Sequence, residues 1–122
     1  MTTSSEEQSI REVIGYYADG MRTGDLATLE RGFHEQAILC GYLGDDLIAG
    51  PIAELYAWVG ANPAPAATGD PFSCEVLAVE VTGRVASARV RESDHHGTVI
   101  DYFHLLKVGG RWSIVSKLWD AE

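Results

Sequence analysis

The period of the hydrophobic pattern changes near Phe72, and this change constrains the fold more than any other feature of the sequence. Before Phe72 apolar residues recur at helical spacing, whereas after it they alternate with polar residues between short turns that contain glycine. The alternating segments, which span 73–81, 84–92, 98–108 and 111–119, predict an antiparallel meander. Helices followed by a sheet are typical of an α+β domain whose helices cover one sheet face.

Three helices are predicted ahead of this meander. Ser5 and Gln8 have capping-box spacing at the start of the first helix, and Gly24 can end it. Asp25 can cap a second, shorter helix. Pro51 suits the first turn of a third helix, which we expect to run to about residue 59.

The remaining segments are predicted to be a hairpin and a loop. Residues 37–43 are expected to form a strand, and residues 47–49 can pair back against it. Residues 60–71 are rich in Gly, Pro and Ala and are expected to form a loop without regular structure.

Size and charge limit the functional classes. A chain of 122 residues predicts one domain, 1–122, and the formal net charge of -9 argues against nucleic acid and anionic membrane surfaces as partners. No apolar run reaches the roughly 18 residues that a membrane span needs, and the N-terminus is polar, so we expect a cytoplasmic protein. Cys40 and Cys74 stand apart in apolar stretches and are expected to be reduced core thiols.

Several motifs resemble those of one known family. They are Tyr17 in the first helix, the junction Arg22-Thr23-Gly24-Asp25-Leu26, Phe33 with Ala37, and the ending DYFHLLKVGGRWSIVSKLW, which begins at Asp101. On these residues the whole chain resembles the nuclear transport factor 2-like superfamily, in particular its lumazine-binding branch, which is related to ketosteroid isomerases and polyketide cyclases. The resemblance implies a cone-shaped, cystatin-like α+β barrel with three N-terminal helices on a curved, mainly antiparallel sheet.

The resemblance also implies a ligand pocket inside the cone, and a homodimer. By alignment to the ketosteroid isomerases, Tyr17 matches the tyrosine that donates a hydrogen bond to a developing enolate oxygen. Gly41 falls where those enzymes keep a carboxylate base, so the usual isomerase reaction is in doubt. His104 falls near their second oxyanion donor, and Trp119 falls near a pocket aromatic.

Residue chemistry gives a set of candidate site residues. In the register that the family implies, Tyr102 and His104 point inward, and a histidine there suits acid or base work near neutral pH. Glu92 is a lone acid whose pKa an apolar setting would raise, although an exposed strand-end position is the alternative. The catalytic candidates are Tyr17, His104 and Glu92. The ligand-binding candidates are Tyr42, Trp58, Tyr102 and Trp119.

Other chemical motifs are weaker. His95 and His96 are consecutive, a spacing that argues against a metal site, and we expect neither a metal nor a cofactor. Asp101 can orient a histidine or pair with a cation, for which the candidates are Arg89, Arg91 and Lys117. Trp112 is expected to be a packing residue on the face opposite Trp119.

Two classes of function remain open from the sequence. The first is an enzyme that isomerises, dehydrates or cyclises a small hydrophobic carbonyl compound. The second is a non-catalytic ligand-binding or dimerisation module. Apolar residues on the second sheet face, including Leu77, Val79 and Val81 or their alternates, predict a homodimer through the sheet.

Overall fold

The computed structural model describes residues 4–122, which form an α+β domain of helices packed on a six-stranded sheet. The helices are α1 (Ser5–Thr23), α2 (Leu26–Arg31), α3 (Ala53–Ala61) and α4 (Pro65–Thr68). The strands are β1 (Phe33–Leu43), β2 (Asp46–Pro51), β3 (Phe72–Thr82), β4 (Val85–Asp94), β5 (Gly97–Val108) and β6 (Arg111–Ala121). The predicted fold class is confirmed.

The ends of the first two helices follow from local hydrogen bonding. The cap of α1 is Ser4, one residue before the predicted position, and its side chain accepts a 3.1 Å hydrogen bond from the Glu7 amide. Gly24 ends α1 at φ +78°, a left-handed conformation that favours glycine. Asp25 caps α2 as predicted and accepts from the amides of Ala27 and Thr28.

Three predicted boundaries differ from the structure. The first strand begins at Phe33, four residues earlier than expected, and Pro51 ends β2 rather than opening α3. The segment 60–71 is not wholly irregular, because α4 occupies part of it with Pro65 in its first turn.

The sheet has the strand order β2-β1-β6-β5-β4-β3. Strands β3 to β6 form the predicted antiparallel meander, and β1 joins it through a parallel pairing with β6. The core lies between the helices and the inner face of this sheet, and Tyr17 on α1 is at its centre. The Tyr17 ring meets the rings of Phe103 at 5.1 Å and Phe33 at 6.0 Å between centroids, both edge to face.

A bulge in β6 changes which side chains reach the core. His104 pairs with Ser116 and Leu105 pairs with Ile114, so Val115 is the extra residue. Trp112 before the bulge and Trp119 after it therefore both point inward, although they are an odd number of positions apart. The expectation that Trp112 and Trp119 lie on opposite faces is wrong for this reason.

The outer face of the sheet carries exposed apolar side chains. Ile38, Tyr42, Leu47, Tyr102 and Leu118 are each at least 45% exposed and lie on this face in four neighbouring strands. We call these five residues the outer patch.

The strand register also corrects the faces of three residues predicted from the sequence. Val79 and Val81 pair with the core residues Ala88 and Ala86 and belong to the core side, because Leu77 bulges out of the β3 register. Cys74 packs against the core as expected, whereas Cys40 lies half-buried on the outer face, and neither forms a disulfide.

Candidate active site

A hydrogen bond between a helix and the sheet defines the candidate site. The hydroxyl of Tyr17 donates to Oε1 of Glu92 on β4 at 2.7 Å, and both side chains are buried. Tyr17 comes from the apolar stripe of α1, while Glu92 follows Ala86, Ala88 and Val90 on the inward positions of β4. The pattern that buries these apolar residues therefore also buries the carboxyl group.

Burial determines the ionisation of this pair. Loss of solvation and then the negative charge of Asp101 raise the pKa of Glu92 to about 7, while Lys117 and the hydrogen bond from Tyr17 act to lower it. The pKa of Tyr17 is raised well above its usual value, first by burial and then by the negative charges of Glu92 and Asp101. Near neutral pH, Tyr17 is thus a hydrogen-bond donor and Glu92 can either hold or release a proton.

A buried ion pair lies beside this hydrogen bond. Nζ of Lys117 on β6 is 2.8 Å from Oδ1 of Asp101 on β5, and both residues are almost fully shielded from solvent. Burial raises the pKa of Asp101, an effect that the positive charge of Lys117 opposes. Among the cations left open by the sequence, Lys117 is the one that Asp101 binds.

Aromatic rings surround the ammonium group. Nζ of Lys117 lies 4.1 Å from the centroid of Trp119 and 5.7 Å from that of Tyr17, within the range of cation–π attraction. Trp119 in turn packs on Gly41, where any added Cβ would overlap its ring. Gly41, the position that the resemblance aligns with the carboxylate base of the ketosteroid isomerases, is therefore closed by Trp119.

A cleft of about 210 Å³ lies between the helices and the end of β4, on the same sheet face as Glu92. Met21 lines it one helical turn after Tyr17, and Phe72 and Asp94 line it one inward position beyond Cys74 and Glu92 on their strands. Trp58 from α3 forms part of its wall, as do His95 and His96 from the β4–β5 turn. Along β4, the inward side chain that follows Asp94 toward the core is Glu92, which is 8% exposed and does not itself line the cleft.

The structure separates the candidate residues into two groups. Tyr17, Glu92 and Trp119 face the interior, and Trp58 lines the cleft. Tyr42, Tyr102 and His104 lie on the outer face, where Tyr102 is 49% exposed.

The expectation that Tyr102 and His104 point inward is therefore wrong. On β5 the inward positions are taken by Asp101, Phe103 and Leu105, because this alternate set carries the apolar residues that pack under Tyr17. Tyr17 consequently meets a carboxyl group rather than an imidazole.

Sequence reasoning missed the role of Lys117 beside the site. Simple alternation gives Lys117 the same direction as Ser113 and Val115, and the bulge at Val115 removes that relation. Nothing else in the sequence around Lys117 indicates that this lysine is buried. Within residues 4–122, no three His, Cys, Asp or Glu side chains are grouped so as to hold a metal ion. No helix in the same range is long and apolar enough to cross a membrane.

The fold has counterparts among known proteins. The family described as "Putative lumazine-binding" matches residues 5–120. The chain belongs to this family. An NTF2-like protein from Shewanella baltica, for which a crystal structure is known, is 30% identical with a TM-score of 0.85, and the match covers 99% of this chain and 98% of that one. The predicted membership in the nuclear transport factor 2-like superfamily and its lumazine-binding branch is confirmed.

Two further proteins resemble this member of the lumazine-binding family. An NTF2-like protein from Methylobacillus flagellatus is 28% identical, with a TM-score of 0.88 over 99% of this chain and 95% of that one. A protein named aldolase FrzH, from Cladobotryum sp., is 24% identical over 121 residues, which are 98% of this chain and 94% of that protein. The family and these neighbours support small-molecule binding as the general function.

Proposed function

We propose that this protein binds a small hydrophobic carbonyl compound in the cleft and catalyses proton transfer on it through Tyr17 and Glu92. The observation that carries this proposal is the buried 2.7 Å hydrogen bond between the Tyr17 hydroxyl and the Glu92 carboxyl. This bond joins a hydrogen-bond donor to a group that can accept a proton, on the sheet face from which Phe72 and Asp94 line the cleft. Isomerisation, dehydration and cyclisation of a carbonyl compound can each use a hydrogen-bond donor and a proton acceptor held together in this way.

The proposed chemistry assigns one task to each residue. As a carboxylate, Glu92 takes a proton from the carbon next to the carbonyl, and the electron pair of that C–H bond moves to the carbonyl oxygen to give an enolate. The Tyr17 hydroxyl donates a hydrogen bond to that oxygen in place of Glu92. Glu92, now protonated, returns the proton to the same or another carbon. A pKa of about 7 suits both halves of this cycle near neutral pH.

The similarity to aldolase FrzH supports this reaction class, because an aldol reaction also proceeds from a carbon deprotonated beside a carbonyl group. The family description supports a planar heterocyclic dione such as lumazine as a second ligand class to test. Trp58 and Phe72 in the cleft wall provide flat apolar surfaces for a ring of either kind.

Non-catalytic ligand binding is the second candidate function. It is favoured by the closure of the Gly41 position, which leaves the site without a carboxylate where the ketosteroid isomerases have one. In that case Tyr17 and Glu92 would only hold a ligand, and turnover would be absent.

Hydrogen–deuterium exchange distinguishes the two functions without knowledge of the natural substrate. The probes are 2-cyclohexenone, 1-indanone and 2-tetralone in D₂O, with loss of the α-proton signal followed by NMR, and lumazine binding followed by fluorescence. We expect the unaltered protein to exchange the α-proton of at least one ketone faster than the Glu92→Gln variant does. Glu80→Gln, which alters an exposed carboxylate, is the control and should exchange as fast as the unaltered protein. If a probe binds but its α-proton exchanges no faster with the unaltered protein than with Glu92→Gln, non-catalytic ligand binding would be supported instead.

We also propose that the outer patch is covered by a second copy of the chain. The patch is apolar and spans neighbouring strands, and the sheet presents it on the side away from the helices. Tyr42 and Tyr102, which do not reach the cleft, would then serve the interface rather than the ligand.

A further inference from the structure

A buried carboxyl group near Glu92 has only one of its two oxygens hydrogen-bonded. Asp101 has no solvent exposure, and one of its oxygens binds Lys117 while the other, Oδ2, has no hydrogen-bond partner among the residues described. Native proteins rarely leave such an atom unpaired, because the loss of hydration is not recovered. A buried carboxyl group with one free oxygen therefore calls for a role beyond its ion pair.

The strand register places this carboxyl group close to Glu92. Asp101 pairs with Val90, and Val99 pairs with Glu92. Glu92 and Asp101 are therefore diagonal neighbours on the inner face of β4 and β5, a relation that separates the two Cα atoms by about 7 Å. Lys117 lies on the far side of Asp101, on β6, and also faces the ring of Tyr17. The negative charge of Asp101 thus stands between the lysine and the glutamate.

We propose that Asp101, held in place by Lys117, is a positioning residue that leaves Glu92, its diagonal neighbour, as the carboxyl group of the pair that exchanges a proton. The inference deepens the proposed function, on which it rests for its catalytic meaning. In a low-dielectric interior, two neighbouring carboxyl groups cannot both ionise freely, and the one paired with an ammonium ion is the more readily ionised of the two. Asp101 is the paired one, so Glu92 is left as the group that accepts and releases a proton.

Among residues 4–122, no other charged or titratable group that faces Glu92 raises its pKa as much as Asp101 does. Tyr17 on α1 donates a hydrogen bond that favours the ionised form, and the Cys74 thiol on β3 has a pKa raised to about 12 by burial, so it stays neutral. Asp94, on the same strand, also favours the protonated form but is a lesser contribution than Asp101. Lys117 acts in the opposite direction. Asp101 is therefore the charge whose removal should have the largest effect.

Carbon-13 NMR of protein labelled at glutamate side chains measures the Glu92 titration directly, with the signal assigned by its loss in Glu92→Gln. In Asp101→Asn, we expect the midpoint pH of Glu92 to fall by at least about one pH unit, because Lys117 then acts on Glu92 without opposition. In the double variant D101N/K117Q, which replaces the ion pair by two neutral amides, we expect a smaller fall. The double variant keeps the test decisive if the single variant does not fold.

Glu6→Gln is the matched control, because Glu6 forms a similar 2.9 Å pair with Lys107 away from the site, and the Glu92 midpoint should not move. An unchanged midpoint in either folded Asp101 variant would overturn the inference. The titration needs no turnover, so a midpoint that shifts in a protein with no exchange activity would support the role of Asp101 and contradict the proposed enzyme function.

Discussion

Tyr17 and Glu92 are 75 positions apart in the chain, yet the hydroxyl of one donates a 2.7 Å hydrogen bond to the carboxyl group of the other inside the core. The bond joins α1 to β4, the strand next to one edge of the sheet. It links stability and chemistry, since the same carboxyl group that needs a partner when buried is the group that can move a proton.

Removing the donor should weaken the fold. Tyr17→Phe leaves a buried carboxyl group without its hydrogen-bond partner, and we expect the free energy of unfolding at pH 8 to fall by about 1–3 kcal/mol. Urea unfolding followed by circular dichroism measures the change. Tyr16→Phe is the neighbouring control, because the Tyr16 hydroxyl only accepts from Arg31 at the surface and its loss should cost under about 0.5 kcal/mol. Equal effects of the two substitutions would contradict the account.

The raised pKa of Glu92 predicts the pH dependence of stability. The value is about 7 in the folded protein against an ordinary value of 4.5, so folding favours the protonated form. The resulting contribution is fully present below about pH 4.5 and is lost as pH rises through 7. Relative to Glu92→Gln, the unaltered protein should lose on the order of 2–3 kcal/mol of unfolding free energy across this range.

The same measurement on Glu80→Gln gives the control. Glu80 is an exposed carboxylate on β3, and its stability difference from the unaltered protein should stay flat with pH. A flat difference for Glu92→Gln as well would mean that Glu92 titrates at its ordinary value.

The space around Gly41 and Gly15 predicts opposite effects of the same Gly→Ala substitution on stability. Gly41→Ala forces a methyl group into the Trp119 ring and should destabilise the protein by about 1–3 kcal/mol. Gly15→Ala adds the same group to α1 where there is free space, and should stabilise it by about 0.5–1 kcal/mol. Thermal unfolding of both variants measures the two signs, and a neutral Gly41→Ala would show that Trp119 can move away.

The outer patch predicts a dimer that a single charge disrupts. Leu118→Glu places a carboxylate in the patch and should shift sedimentation velocity from a dimer toward a monomer. Leu43→Glu is the control, since Leu43 is equally exposed but lies outside the patch at the β1–β2 turn. A monomer in the unaltered protein at micromolar concentration would exclude the proposed interface.

Much of the fold followed from the sequence because its signals are local. Asp25 and Gly24 mark helix ends through hydrogen bonds to adjacent residues, and the alternation after Phe72 gives the meander directly. The parallel pairing of β1 with β6 has no such signal, since it joins distant segments.

The site was only partly predictable because it depends on strand faces. Alternation along β5 gives two sets of residues without saying which is inward, and packing of Phe103 under Tyr17 decides against His104. A bulge at Val115 then reverses the alternation along β6 and brings Lys117 inside. Glu92 was predicted as a candidate from its chemistry. Its hydrogen bond to Tyr17 could not be predicted, because the two residues are 75 positions apart and no local signal joins them.

The most direct test of the central claim is the pH profile of α-proton exchange with the ketone probe that exchanges fastest. If Glu92 is the base, the rate should rise with pH through about 7 and then level off, and Glu92→Gln should lower the plateau at least about a hundredfold. Glu80→Gln should leave both the midpoint and the plateau unchanged. A profile that Glu92→Gln does not alter would contradict the claim.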